Sequence, residues 1–171
     1  DSAKREEYDA TLALQEAGVP SDLESILEAE ALFRSGKNLL NKGLNDAALA
    51  KLDAAAQLNP AEPEYAATAA YVKYWCLERD RKGRVKDRRM VTLIVEHLTE
   101  FLEGNPRKDD ISAYLGMIAK AEGDSEKALE YFQEAFAINS KNMLATREIR
   151  LHNMRRAKGK SLISKLFSRG K

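Results

Sequence analysis

Few side chains in this 171-residue sequence could take part in catalysis or hold a metal ion. Cys76, His97 and His152 provide its only thiol and imidazole groups, and they stand far apart in the sequence. A structural zinc site needs about four such ligands, usually at short spacings, so no metal is expected. The lone cysteine cannot form an intrachain disulfide, which is typical of a protein in the reducing cytoplasm.

The sequence also lacks the motifs of common catalytic sites. It contains no glycine-rich phosphate loop and no nucleophile elbow. Acidic pairs such as Asp109-Asp110 stand where helices are expected to start, and carboxylates are favourable there because they face the positive end of the helix dipole. We therefore expect no enzyme activity and no cofactor.

Aromatic and basic side chains indicate binding instead. Tyr71 and Trp75 are four residues apart, so a helix would place them on one face. Seven basic side chains crowd residues 78–89. Nucleic acid is a poor candidate partner, because the basic groups have no aromatic residues between them.

Charge is distributed unevenly along the chain, although its net charge is only +1. Residues 141–171 hold ten basic side chains and one acidic side chain, so the remainder is acidic. In the tail 158–171, Leu162, Ile163, Leu166 and Phe167 would share one helical face with basic groups around it, the pattern of a helix on a membrane surface or a partner. The alternatives are a disordered tail or one packed on the exposed end of the domain.

Helices must position all of these groups. Ala, Leu, Glu and Lys dominate the apolar-periodic stretches, and the four prolines, at 20, 60, 63 and 106, stand between them. Asn45, Asp124 and Ser140 suit N-caps, and Pro63 suits the first turn of a helix. No apolar run approaches the roughly 18 residues of a membrane span. The expected fold is all-α, built from short antiparallel helix pairs.

An internal repeat of 34 residues supports this architecture. When residues 29–62 are aligned with residues 109–142, small residues coincide where two helices must touch. The aligned pairs are Gly36 with Gly116, Gly43 with Gly123, Ala48 with Ala128, Leu52 with Phe132, Ala55 with Ala135, and Pro60 with Ser140. Gly36 and Ala48 are expected to allow close approach of the first two helices.

These positions resemble the tetratricopeptide repeat (TPR) family, whose pattern places Leu-Gly, Gly, Ala, an aromatic, Ala and Pro at fixed steps. Leu115-Gly116 and Phe132 match the pattern, whereas Ser35 and Ser140 replace its Leu and Pro. The resemblance covers residues 29–142 and implies a right-handed array of three helix pairs, which we expect to carry an additional N-terminal helix and a C-terminal capping helix. The middle repeat, 63–108, has 46 residues, so its 12 surplus residues are expected near 78–89 as a basic loop or lengthened helices.

In this family the first helix of each repeat lines a concave groove that binds partners. The resemblance implies that eight side chains face it: Phe33, Arg34, Lys37, Tyr71, Tyr74, Trp75, Tyr114 and Met117. The alternative is that they belong to the core or are covered by an N-terminal helix.

Some members bind a chaperone tail with a clamp of Lys, Asn, Asn, Lys and Arg. The same steps hold other side chains in this sequence: Phe33, Lys37, Thr68, Asp110 and Tyr114. Asp110 would repel a terminal carboxylate, so this clamp is not expected.

Residues 1–9 resemble the end of a J-domain, whose last helix runs Asp-Pro-x-Lys-Arg-x-x-Tyr-Asp. The matches are Asp1, Lys4, Arg5, Tyr8 and Asp9, and Ser2 replaces the proline. The resemblance implies a longer protein in which a J-domain, with the His-Pro-Asp motif that acts on a DnaK-type chaperone, precedes this chain. The alternative is an ordinary solvated helix.

The sequence thus predicts a J-domain-like end and linker (1–20), a TPR-like domain (21–157) with a capping helix (143–157), and a basic tail (158–171). The expected function is protein binding, as a scaffold or substrate-binding arm of a J-domain co-chaperone. The alternatives are a general TPR scaffold without a chaperone link and a surface-docking module that acts through the tail.

Overall fold

The computed structural model describes residues 23–168, with side chains described as far as residue 158. These residues form seven helices. They are α1 (Leu23–Asn41), α2 (Asn45–Leu58), α3 (Pro63–Cys76), α4 (Arg88–Gly104), α5 (Asp109–Ala121), α6 (Ser125–Ile138) and α7 (Met143–Ser168). The all-α fold expected from the sequence is confirmed. The J-domain-like segment and the predicted N-terminal helix lie outside the described residues.

The described residues divide into two compact units, with the division between Phe101 and Leu102. In the first, α2 packs against both α1 and α3. In the second, α6 packs against both α5 and α7.

The same turn closes a helix pair in each unit. Gly43 has φ +74° and Gly123 has φ +92°. Around Gly43, the amide of Leu44 donates to the carbonyl of Leu39, and the amide of Gly43 donates to Leu40. Residues 119–124 repeat this bonding pattern. A left-handed glycine with these two bonds satisfies the last carbonyls of a helix and reverses the chain.

Two glycines set the spacing of the helix pairs. A Cβ added to Gly36 would lie 2.6 Å from Cγ of Leu52, and one added to Gly116 would lie 2.7 Å from the ring of Phe132. Since real side chains do not approach so closely, only glycine allows these large residues to fill the interface. The close approach expected at Gly36 and Ala48 is confirmed, with the backbone oxygen of Ala48 3.3 Å from the same added Cβ.

The loop between α3 and α4, residues 77–87, contains most of the surplus residues of the middle repeat. It is a small hairpin in which Arg79 and Val85 form an antiparallel bridge. The side chain of Asp80 accepts from the amides of Lys82 (2.8 Å) and Arg84 (2.9 Å), and Val85 is buried beneath. The loop is therefore an ordered structure with basic side chains on its surface.

Helix α7 continues to Ser168 without a break at the predicted boundary between capping helix and tail. The expectation that Ser140 caps this helix is wrong. Helix α7 begins only at Met143, so Ser140 lies too far before it to act as the cap. The Asn142 side chain accepts from the amide of Ala145 at 2.9 Å instead. Asp124, in contrast, caps α6 as expected, accepting from the amide of Lys127. No helix among residues 23–168 combines the length and apolar character that a bilayer crossing requires.

Candidate partner-binding site

Helices α1 and α3 bring together an aromatic pair and a lysine. The rings of Phe33 and Tyr65 lie 4.6 Å apart between centroids, with planes tilted by 32°. Lys37, one turn after Phe33, places its ammonium 5.4 Å from the Phe33 centroid. Phe33 itself is buried, so Lys37 covers the ring on its outer side and is the more accessible of the two.

Glu30 connects these helices. Its carboxylate accepts from Nε of Arg34 at 2.6 Å and from the hydroxyl of Tyr65 at 2.9 Å. The bond from Arg34 holds the pKa of Glu30 below its ordinary value, despite partial burial. Burial, followed by the bond to Glu30, raises the pKa of Tyr65 to about 12. Glu30 is therefore ionised and Tyr65 protonated at neutral pH, and the Arg34 side chain remains 76% exposed.

The aromatic residues at the end of α3 form a second cluster. The Trp75 ring makes edge-to-face contacts with Tyr71 at 6.1 Å and with Tyr74 at 5.0 Å. These arrangements suit the charge distribution of aromatic rings. Tyr71 and Tyr74 are buried, whereas Trp75 is half-buried. Trp75 is thus the accessible member of this cluster.

Arg79, from the hairpin loop, completes this cluster. Its guanidinium lies 4.9 Å from the centroid of Tyr74 and 5.3 Å from that of Trp75. It also donates to the carbonyls of Tyr74 and Gly83, both at 3.3 Å. These contacts tie the loop to the end of α3 and place a cation beside the accessible tryptophan.

Tyr65 and Arg79 were missed by sequence reasoning. Tyr65 lies 35 residues after Glu30, close to the repeat length, and that spacing could have indicated their contact. Nothing in the sequence distinguishes Arg79 from the other basic residues of the loop.

Tyr114 and Met117 lie in α5, in the second unit. Tyr114 is 7% exposed. Met117 is partly buried and packs against the cluster of Ala113, Ala128 and Phe132. Their membership of a partner groove stays a prediction.

The positions of the chaperone-tail clamp hold side chains that are committed to packing or already bonded. Thr68 is buried, as are Phe33 and Tyr114. Asp110 accepts from the side-chain amide of Asn142, at 3.5 Å, in the turn before α7. Lys37 is the only cation among the five side chains, whereas the clamp has three.

No protein-family model matches the chain, and no curated protein sequence is similar to it. Solved structures of TPR domains are similar in fold. The first TPR of Spaghetti (RPAP3), bound to the HSP90 peptide SRMEEVD, has 15% identity and a TM-score of 0.52, over 77% of this chain and 94% of that one. The Sgt2 TPR domain from Aspergillus fumigatus has 14% identity and a TM-score of 0.55, over 84% and 85%. The Arabidopsis OM64 TPR domain has 14% identity and a TM-score of 0.52, over 75% and 98%. The chain therefore has the TPR fold.

Proposed function

We propose that this TPR-like chain is a protein-binding module, and that it serves as the scaffold or substrate-binding arm of a J-domain co-chaperone. In this proposal the site on α1 and α3 holds an extended or helical segment of a partner. The tethered J-domain then presents that partner to a DnaK-type chaperone by raising its local concentration.

The observation that carries the binding function is the surface of α1. Arg34 and Lys37 project beside the Phe33–Tyr65 pair, and Glu30 holds Arg34 in place. The exposed Arg34 and the half-buried Lys37, beside a rigid aromatic pair, suit a segment that carries side-chain carboxylates and apolar groups. A terminal carboxylate is a poorer candidate, since the clamp positions hold Thr68, Asp110 and Tyr114.

A charge-reversal experiment tests this site. The double variant Arg34→Glu with Lys37→Glu should lose partners that the original chain retains from a lysate of its source cells, as quantified by mass spectrometry. The matched control, Lys42→Glu with Lys51→Glu, makes the same charge change on exposed residues elsewhere in the first unit. Equal partner retention by both double variants, with equal melting temperatures, would exclude the α1 surface.

The co-chaperone role rests on residues 1–9 and has a separate test. The sequence before Asp1 should contain a His-Pro-Asp loop, and the longer protein should stimulate the ATPase of a DnaK-type chaperone. If the loop is absent, the alternative of a general scaffold replaces the co-chaperone, while the binding surface on α1 is unaffected.

A further inference from the structure

Helix α7 occupies the place of the first helix of a further repeat. It lacks, however, the two glycines that each of the other two glycine-containing helix pairs has at equivalent repeat positions. Arg150 follows Gly116 by 34 residues, where glycine allows close approach in α1 and α5. Ala157 follows Gly123 by 34 residues, where glycine turns the chain. With alanine there, the helix continues to Ser168. Within the described residues, no second helix therefore follows to pair with α7.

The face of α7 that such a helix would cover is an apolar groove shared with α6. Phe136 of α6 is 42% exposed and Met154 of α7 is 47% exposed. Ile149, Met154 and Ala157 line the groove together with Phe136, and Arg150 stands at its side. Thr146, Ile149, Asn153 and Ala157, which all line the groove, recur at intervals of three and four residues, so they follow one helix face.

The charged side chains of α7 are mostly basic. Residues 143–158 contain five basic side chains and one acidic one, Glu148. Glu148 is buried and paired with Lys120 and Arg147, so its charge is balanced by those two cations and leaves Arg150, Arg155, Arg156 and Lys158 uncompensated by an acidic residue of α7. On α6 the glutamates at 126, 130 and 134 repeat every fourth residue, and this spacing places their stripe on a different face from Phe136.

We propose that this groove, formed by Phe136, Ile149, Met154 and Ala157, binds an acidic amphipathic helix of a partner protein. The apolar face of that helix packs where the missing paired helix would lie. Its carboxylates face Arg150, which lines the groove, and the exposed Arg156, which follows Ile149 by seven residues and so lies on the same side of α7. A second copy of this chain fits less well, because pairing through α7 would bring two basic surfaces together. This site is separate from the α1 surface and does not depend on the co-chaperone role.

Two stapled helical peptides provide the probes. Both carry leucines at the i, i+3, i+4 and i+7 positions, which form one helix face. The other positions are glutamates in the first peptide and lysines in the second. The full chain should bind the glutamate peptide at least about tenfold more tightly than the lysine peptide, as measured by fluorescence anisotropy. Met154→Glu and Phe136→Glu should each weaken binding of the glutamate peptide at least about tenfold.

Met143→Glu is the matched control, because Met143 is 86% exposed on the same helix and lies outside the groove. It should leave binding unchanged. The proposal is overturned if the glutamate peptide does not bind, if both peptides bind equally, or if Met143→Glu weakens binding as much as Met154→Glu. It is also overturned if the full chain is a dimer in sedimentation and Met154→Glu makes it monomeric, since a second copy then fills the groove.

Discussion

Lys120 donates a hydrogen bond to the carboxylate of Glu148 and thereby joins α5 to α7. The Glu148 side chain is only 4% exposed, whereas the lysine is 35% exposed. Arg147 donates to the other carboxylate oxygen at 3.0 Å. Burial alone would raise the pKa of Glu148, but the bonds from these cations outweigh it and hold the pKa below its ordinary value of 4.5.

This pair predicts a pH dependence of stability. Because the pKa of Glu148 is lowered by folding, its contribution is present above pH 4.5 and is lost as the pH falls through the folded value. Glu148→Gln should reduce the free energy of unfolding at neutral pH by about 1–3 kcal/mol. It should also lose less stability than the original chain on acidification below pH 4.5, as measured by denaturant titrations followed by circular dichroism. Glu134→Gln is an exposed control, and an equal acid response of all three proteins would contradict the role of Glu148.

The close approaches at Gly36 and Gly116 predict that adding one methyl group destabilises the fold. Gly36→Ala and Gly116→Ala should each cost about 1–3 kcal/mol by overpacking against Leu52 and Phe132. Helix propensity alone would make each alanine variant more stable by about 1 kcal/mol. A loss of stability would therefore come from overpacking. Gly104→Ala is the control, because nothing lies within 4 Å of its added Cβ. Chemical denaturation measures all three, and a stabilised Gly36→Ala variant would show that the helices separate without cost.

Replacing the buried tyrosines with alanine tests whether they belong to the core or to the predicted partner groove. Tyr71 is 6% exposed and Tyr114 is 7% exposed, so Tyr71→Ala and Tyr114→Ala should each cost about 3–5 kcal/mol of stability. Trp75→Ala, at a half-buried position, should affect melting less and partner retention more. Melting temperatures and partner retention are measured on the same samples. Lost partners with unchanged melting for Tyr71→Ala would instead place this ring in the groove.

The peptide SRMEEVD, which the TPR of Spaghetti (RPAP3) binds, should not bind this chain. Asp110 stands at a clamp step and would repel its terminal carboxylate. Calorimetry with this peptide, and with its amidated form as the control, measures the effect. Binding that depends on the free carboxylate would show that another cation replaces the missing clamp.

The sequence alone determined the helical class, the repeat and the helix-pair turns. Gly36, Gly43, Gly116 and Gly123 stand at steps where only glycine avoids a clash or adopts a left-handed backbone, so their spacing reports directly on structure. Pro63 and Asp124 mark helix starts for equally local reasons, a fixed φ and a side-chain cap.

Only the tertiary structure decided which aromatic and charged side chains are accessible. Tyr71 and Trp75 look alike in the helix pattern, yet one is buried and the other half-buried, because exposure depends on packing by residues distant in sequence. The bonds of Glu30 to Tyr65 and of Lys120 to Glu148 join different helices, at separations of 35 and 28 residues. The groove at Phe136 likewise depends on tertiary structure. Helix α7 continues past Ala157, where the other helix pairs have a glycine turn, and the packing of α6 against α7 leaves the groove open.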